Sequence, residues 1–164
     1  MLRVQDRPQS LAILGRGTQT RSPRLRLVTV EQIGPIAEGP TLCGPNCAGD
    51  LLRAYFARKD REHFVALHLD SAHRVASMDV VSVGTLNSAL VHPREVFKAA
   101  ILASAAAIIC AHNHPSGNVS PSSEDRATFD LLSNAGRLLK IPLLDFLIVG
   151  EENTWSAVEH GRWV

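Results

Sequence analysis

Apolar and β-branched residues fill two runs, Phe64 to Leu69 and Arg74 to Val83, separated by Asp70-Ser71-Ala72. That pattern predicts a pair of antiparallel strands joined by a tight reversal. A third run, Ala105 to Cys110, is apolar throughout and has the length of a buried strand. Three other stretches carry the helical period instead. From Asn46 to about Lys59, Leu51 with Tyr55 and Leu52 with Phe56 stand at i, i+4, with Asn46 suited as N-cap. Pro93 opens a second helix ending near Ser104, with Val96, Phe97, Ala100 and Ile101 as its apolar face. A third begins around Ser120 or Pro121 and runs to Leu139 or Lys140. Its core face is Phe129, Leu132, Gly136 and Leu139, and Asp125 stands at the end of that face, where a carboxylate needs a partner. Ile141 to Val149 and Thr154 to Val158 read as two further strands, and Arg24 to Val30 as a half-exposed one. Strands and helices thus alternate through the middle of the chain with an antiparallel pair before and after. This predicts an α/β fold, a mixed sheet sandwiched by helices.

Residues 1–23 show no sustained period and read as a flexible basic arm, leaving 24–164 as the folded domain. With 164 residues, 45% of them hydrophobic and 20% charged, there is material for one core. The formal net charge of +1 gives no general reason to bind nucleic acid or an anionic membrane. Its distribution is uneven, because six arginines within residues 1–28 face a single acidic residue, Asp6. That end is either a nucleic-acid arm or a solvated tail. An odd set of three cysteines, Cys43, Cys47 and Cys110, without an N-terminal signal segment, suggests a reducing cytoplasm. No apolar stretch approaches the roughly 20 residues needed to cross a bilayer, so a soluble protein without a membrane partner is expected.

The chemistry concentrates where the buried strand ends. His112 and His114 leave it together, and two residues apart in extended backbone they point to one side. The loop that follows leads into a helix whose first turn offers Asp125. Two imidazole nitrogens and one carboxylate oxygen, with a fourth position left for water, are the donor set of a catalytic zinc site. Ser122 and Asp125 also fit a variant capping box, Ser-x-x-Asp before a helical run. Ser120-Pro121 can serve as N-cap and first helical residue instead, which would free Ser122 and Asp125. Gly117 fits a turn that needs unusual backbone angles. Cys43-x-x-x-Cys47 lacks a second ligand pair at finger spacing and is not read as a zinc site. His63, His68, His73 and His160 fit ordinary strand or surface roles.

The full register, His-x-His-Pro-x6-Ser-x-x-Asp from His112 to Asp125, resembles the metal-binding signature of the JAMM (MPN+) metalloprotease superfamily. The form His-Asn-His-Pro-Ser-Gly is closest to the RadC family, which residues 61–164 resemble almost end to end. The matching blocks are Glu62-His63-Phe64, Val83 to Asn87, Val91 to Phe97, the histidine loop and Leu144 to Gly150. The resemblance implies a cytidine-deaminase-like three-layer α/β/α sandwich. The chain departs from longer RadC proteins at its amino end, where residues 1–50 are too short and too rich in glycine and proline for their helix-hairpin-helix module.

The resemblance also implies roles. His112, His114 and Asp125 correspond to the ligands of one zinc ion, and Ser122 to the hydrogen-bond donor near the scissile carbonyl. Glu62 matches the glutamate that precedes the first strand of the domain and acts as general base and acid. Glu95 competes for that role, although a glutamate in the first turn of a helix is ordinarily explained by the helix dipole. The expected activity is zinc-dependent hydrolysis of an amide or isopeptide-like bond in a peptide substrate. The alternative is a non-catalytic, DNA repair-associated protein with a structural zinc.

Overall fold

The computed structural model describes residues 39–57, 59–84 and 91–161, together with the backbone of 3–4 and 30–31. The chain divides into two compact units, 1–35 and 36–164. In the first, strand β1 (Arg3–Val4) pairs antiparallel with β2 (Val30–Glu31). The rest of the arm expected over 1–23, and most of the strand expected from Arg24, lie outside the described residues.

The second unit contains helix α1 (Pro45–Phe56), strands β3 (His63–Leu69) and β4 (Val75–Val83), helix α2 (Pro93–Leu102), strand β5 (Ala107–Asn113), helix α3 (Ser123–Leu139) and strands β6 (Leu143–Val149) and β7 (Thr154–Ser156). The strands form one mixed sheet in the order β4-β3-β5-β6-β7. The β3–β4 hairpin is antiparallel, β3 and β5 are antiparallel, and β5 and β6 are parallel, joined by the α3 crossover. β7 returns antiparallel along β6.

Successive side chains of β3, β5 and β6 go to opposite faces, and both faces are covered. Phe64, Ala66, Ile108, Cys110, Phe146 and Ile148 meet Val96, Phe97 and Ala100 of α2 and Phe129 and Leu132 of α3. Val65, Leu67, Ile109, Ala111, Leu147 and Val149 meet Ala48, Leu52 and Phe56 of α1 on the other side. The result is the expected α/β/α sandwich. Its doubly buried central strands read as continuous apolar runs because neither face is solvated.

α1 ends at Phe56 and not near Lys59, β6 begins at Leu143 and not Ile141, and β7 ends at Ser156 and not Val158; three further boundaries change the role of a residue. α1 begins at Pro45 with Gly44 as its cap, so Asn46 is inside the helix and not its N-cap; proline's fixed φ suits the first helical position. β5 continues past Cys110 to Asn113, so His112 lies within the strand. α3 begins at Ser123 with Ser122 as N-cap, and Ser120-Pro121 remain in the loop. A side-chain hydrogen bond holds them there: the Ser120 amide donates to Asn118 Oδ1 at 2.9 Å. Cys43 and Cys47 are joined by a disulfide at the start of α1, and Cys110 is a free, buried thiol. No helix among the described residues is long and apolar enough to cross a membrane.

Candidate metal centre

His112 is the last residue of β5 opposite β3, paired with Phe64. Its ring is 1% exposed, stacked on Phe64 at a centroid distance of 6.0 Å and set against the edge of Phe146 at 5.5 Å. Aromatic walls on two sides fix the imidazole before any ligand arrives. Its Nδ1 has no hydrogen-bond partner among the described residues, so the polar contacts of the ring run through Nε2. That atom lies 3.0 Å from His114 Nε2 and 3.0 Å from Asp125 Oδ1.

His114 leaves the strand end on the same side, its Nε2 3.8 Å from Asp125 Oδ2. Its Nδ1 donates to the Asn118 carbonyl. A carbonyl can only accept, so Nδ1 is the donor, the tautomer that in a neutral ring turns the Nε2 lone pair toward the cluster. The loop that supplies this carbonyl turns at Gly117, whose φ of 76° is a left-handed conformation that glycine adopts freely. The same loop rests on Gly150, where an added Cβ would stand 2.9 Å from Val119 Cγ1.

Asp125 is 9% exposed and sits in the first turn of α3. The capping box is formed in full. Ser122 Oγ accepts from the Asp125 amide at 3.1 Å, and Asp125 Oδ2 accepts from the Ser122 amide at 2.7 Å and from its hydroxyl at 2.8 Å. The expectation that Ser120-Pro121 would release Ser122 and Asp125 from capping is therefore corrected. Capping leaves one oxygen of the carboxylate for a metal: Oδ2 caps the helix while Oδ1 faces His112. Burial opposes ionisation of Asp125, but the hydrogen bond and charge of His112 and the bonds from Ser122 outweigh it, holding the carboxyl well below the usual carboxylate range.

These three residues form a group that could hold a metal ion. Two imidazole nitrogens and a carboxylate oxygen this close repel through their lone pairs unless a proton or a cation lies among them. Donors bound to a tetrahedral zinc at roughly 2.0–2.1 Å stand about 3.3 Å apart. The 3.0 Å between the two Nε2 atoms and the 3.0 Å from His112 Nε2 to Asp125 Oδ1 lie close to that spacing, and one ligand atom from each of the three residues falls within 4.8 Å of the others, so the donor set fits such an ion. Exposure is graded across the cluster, from 1% for the His112 side chain to 20% for His114, so solvent reaches it from the His114 side. A cleft of 320 Å³ opens beside His114, lined among others by Arg53, Phe56, Lys59, Asn113 and Pro115.

Glu62 is half-buried and directly precedes β3, two residues before the Phe64 whose ring stacks on His112. Glu95 stands in the first turn of α2, half-buried and engaged by Arg94 Nε at 3.1 Å and by Lys98. Those partners, Lys98 first, lower its pKa, as expected of a helix-surface carboxylate. His92, which had no role assigned from the sequence, caps α2 by accepting from the Arg94 amide at 3.0 Å. His68 bonds to Ser77 Oγ at 2.8 Å and His160 to the Ser156 carbonyl at 2.8 Å, both in structural roles.

Two residues escaped the sequence reading. Asp145, 4% exposed, accepts from the Phe146 and Val158 amides and the Ser156 hydroxyl, tying β6 to the segment after β7. Burial is the leading influence on its pKa and keeps it raised despite those donors. Asn113, between the histidines, bonds to the segment around Glu62. A buried polar residue within an apolar strand is the signal that marks both.

A mixed five-stranded α/β/α sandwich with a His-x-His pair at the end of a central strand, completed by an aspartate from the next helix, defines a JAB-type domain. The RadC-like JAB domain family matches residues 42–162, and the chain belongs to that family. It is 50% identical over 122 residues to the UPF0758 protein of Rubrobacter xylanophilus, covering 74% of this chain and 53% of the relative. The UPF0758 protein of Pelodictyon phaeoclathratiforme is 50% identical over 101 residues, covering 62% and 46%. That of Methanosarcina acetivorans is 41% identical over 120 residues, covering 73% and 52%. The chain spans about half the length of these relatives.

Proposed function

We propose that this domain is a zinc-dependent hydrolase of the RadC/JAMM type that cleaves an amide or isopeptide-like bond. The observation that carries this reading is the convergence of His112 Nε2, His114 Nε2 and an Asp125 oxygen at the solvent-reachable end of β5. A zinc ion held by that set supplies a Lewis acid and makes water nucleophilic near neutral pH.

The chain's own residues supply the rest. Glu62 takes a proton from the attacking water onto its carboxylate as the water oxygen adds to the carbonyl carbon. It returns that proton to the leaving nitrogen as the C–N bond breaks, so that amide plus water become acid plus amine. Ser122 Oγ–H donates to the carbonyl oxygen as negative charge builds there. In the resting structure that hydroxyl donates to Asp125 Oδ2, and in this role it would turn from there toward the carbonyl oxygen.

The test is metal analysis of the purified chain, followed by hydrolysis of a fluorogenic peptide containing a glycyl-ε-lysine isopeptide bond. Glu62→Gln should retain zinc and lose hydrolysis, whereas His112→Ala should lose both. Full activity in Glu62→Gln would refute the assignment of the base. A chelator separates a catalytic from a structural ion: activity should vanish while far-UV circular dichroism stays unchanged. The alternative, a non-catalytic DNA repair-associated role, rests on the arginines of residues 1–28. It requires DNA binding that weakens with salt and is lost on deleting residues 1–23.

A further inference from the structure

We propose that Asn113 is a positioning residue for Glu62, its carboxamide clamping the backbone on both sides of that glutamate to the strand that carries the two histidines. The proposal rests on the reading of Glu62 given above.

Alternation along β5 sends Asn113 to the face opposite His112 and His114, so it is not itself part of the cluster. Nor is it a solvated loop residue, being 5% exposed. Its Oδ1 accepts from the His63 amide at 2.8 Å, and its Nδ2 donates to the Arg61 carbonyl at 3.0 Å. The two bonds bracket Glu62. Their position follows from the sheet register, because the β3–β5 ladder ends at the pair Phe64 and His112. One step further, His63 would stand opposite Asn113, and there a side chain takes over from the backbone ladder. From the β4 side the Gly84 amide donates to the Glu62 carbonyl at 2.9 Å. Arg61 C=O, Glu62 C=O and His63 N–H thus all have partners, and two of the three are served by one carboxamide.

The residue type fits that task. Asparagine offers a donor and an acceptor on one short planar group. Aspartate keeps the acceptor for His63 but sets a second lone pair against the Arg61 carbonyl. Leucine, of similar shape, offers neither. General-base chemistry depends on hydrogen-bond reach, and a displacement of about 1 Å can cost roughly a hundredfold in rate. Fixing Glu62 to the backbone between the histidines keeps base and metal ligands in one frame.

The experiment uses the full chain with zinc added, comparing parent, Asn113→Leu and Asn113→Asp. Amide exchange followed by NMR should show His63 exchanging at least roughly tenfold faster in Asn113→Leu, with the Ala66 and Leu67 amides unchanged and zinc stoichiometry retained. On the glycyl-ε-lysine fluorogenic peptide, kcat should fall roughly 10–100-fold in Asn113→Leu and less in Asn113→Asp, with KM nearly constant. In a Glu62→Gln background neither substitution should lower turnover further, because the residue acts only through that glutamate. Unchanged His63 exchange in Asn113→Leu overturns the clamp. Loosening of all of β3 with loss of zinc, or additive losses with Glu62→Gln, overturns the positioning role in favour of a merely structural one. Undiminished turnover in Glu62→Gln alone overturns the catalytic reading of Glu62, and the exchange data then still decide the clamp.

Discussion

Ser122 carries two assignments on one hydroxyl, helix cap and carbonyl donor, and the cap has a size that the structure predicts. Ser122→Ala removes the acceptor of the Asp125 amide and one of the two Ser122 donors to Asp125 Oδ2, leaving the 2.7 Å bond from the backbone amide. Loss of a serine N-cap costs about 1 kcal/mol, and a hydrogen bond to a charged group about 1.5–3 kcal/mol. Ser122 is exposed, so water reaches both vacated positions and holds the total near the lower end. We expect a loss of about 1.5 kcal/mol, a fall in Tm of about 3–6 °C for a chain of this size. Ser122→Thr, which keeps the hydroxyl, should lose only a few tenths of a kcal/mol. The assay is thermal unfolding followed by circular dichroism in EDTA, so that metal binding does not enter. A Ser122→Ala chain melting with the parent, or a Ser122→Thr chain falling as far as Ser122→Ala, would show that the hydroxyl does not cap α3. Once the cap is measured and zinc stoichiometry is shown to be retained, a loss of turnover well below Tm in Ser122→Ala is the loss expected of carbonyl donation.

Gly136 in α3 tests the packing that sets this helix against the sheet. A Cβ there would stand 2.6 Å from the Ile141 backbone oxygen and 3.2 Å from Phe97 Cζ. The gain in helix propensity of about 1 kcal/mol is outweighed by overpacking of about 1–3 kcal/mol against backbone that cannot swing aside. Gly136→Ala should therefore lower the urea midpoint, and a higher midpoint would refute the clash. His68, 2% exposed on β3, has its pKa lowered from 6.5, by burial first, with Asp79 opposing. A base whose folded pKa is depressed is protonated first in the unfolded chain, so its contribution is complete above 6.5 and is lost as pH falls through the folded value. Stability in EDTA should drop between about pH 7.5 and 5.5 by more in the parent than in His68→Gln, and equal drops would exclude His68 as the cause.

The sheet was legible because its central strands are buried on both faces, so β3, β5 and β6 stand out as apolar runs bounded by turn residues. The histidine pair was legible for the same reason, two polar rings at the end of such a run. The start of α3 was not. Ser120 before Pro121 and Ser122 before Asp125 are both acceptable N-caps by local rules. The choice falls to Ser122 because its amide and hydroxyl satisfy the buried Asp125 carboxylate, while the Ser120 amide is already held by Asn118 Oδ1. Asn113 was missed for a longer-range reason. Its partners lie 50 and 52 residues away, and only the β3–β5 register brings them within reach.

The manner in which each ligand is held bears on whether the ion would serve the fold or the chemistry. His112 is fixed by Phe64 and Phe146 within the sheet, and Asp125 by the cap of a 17-residue helix; neither needs a metal to hold its place. His114 is held by a loop carbonyl and is the most exposed of the three. The two clusters that bind α1 to one face of the sheet and α2 and α3 to the other are built from apolar side chains, with the His112 ring packed against Phe64 and Phe146 of the second. A structural zinc supplies folding energy that the apolar core cannot, and its loss unfolds the domain. The apolar core here comes from the sheet and its three helices, and His114, the most exposed of the three, stands on the side open to solvent. Two donors preorganised on regular elements and a third at an accessible edge are what a centre that must admit a substrate requires.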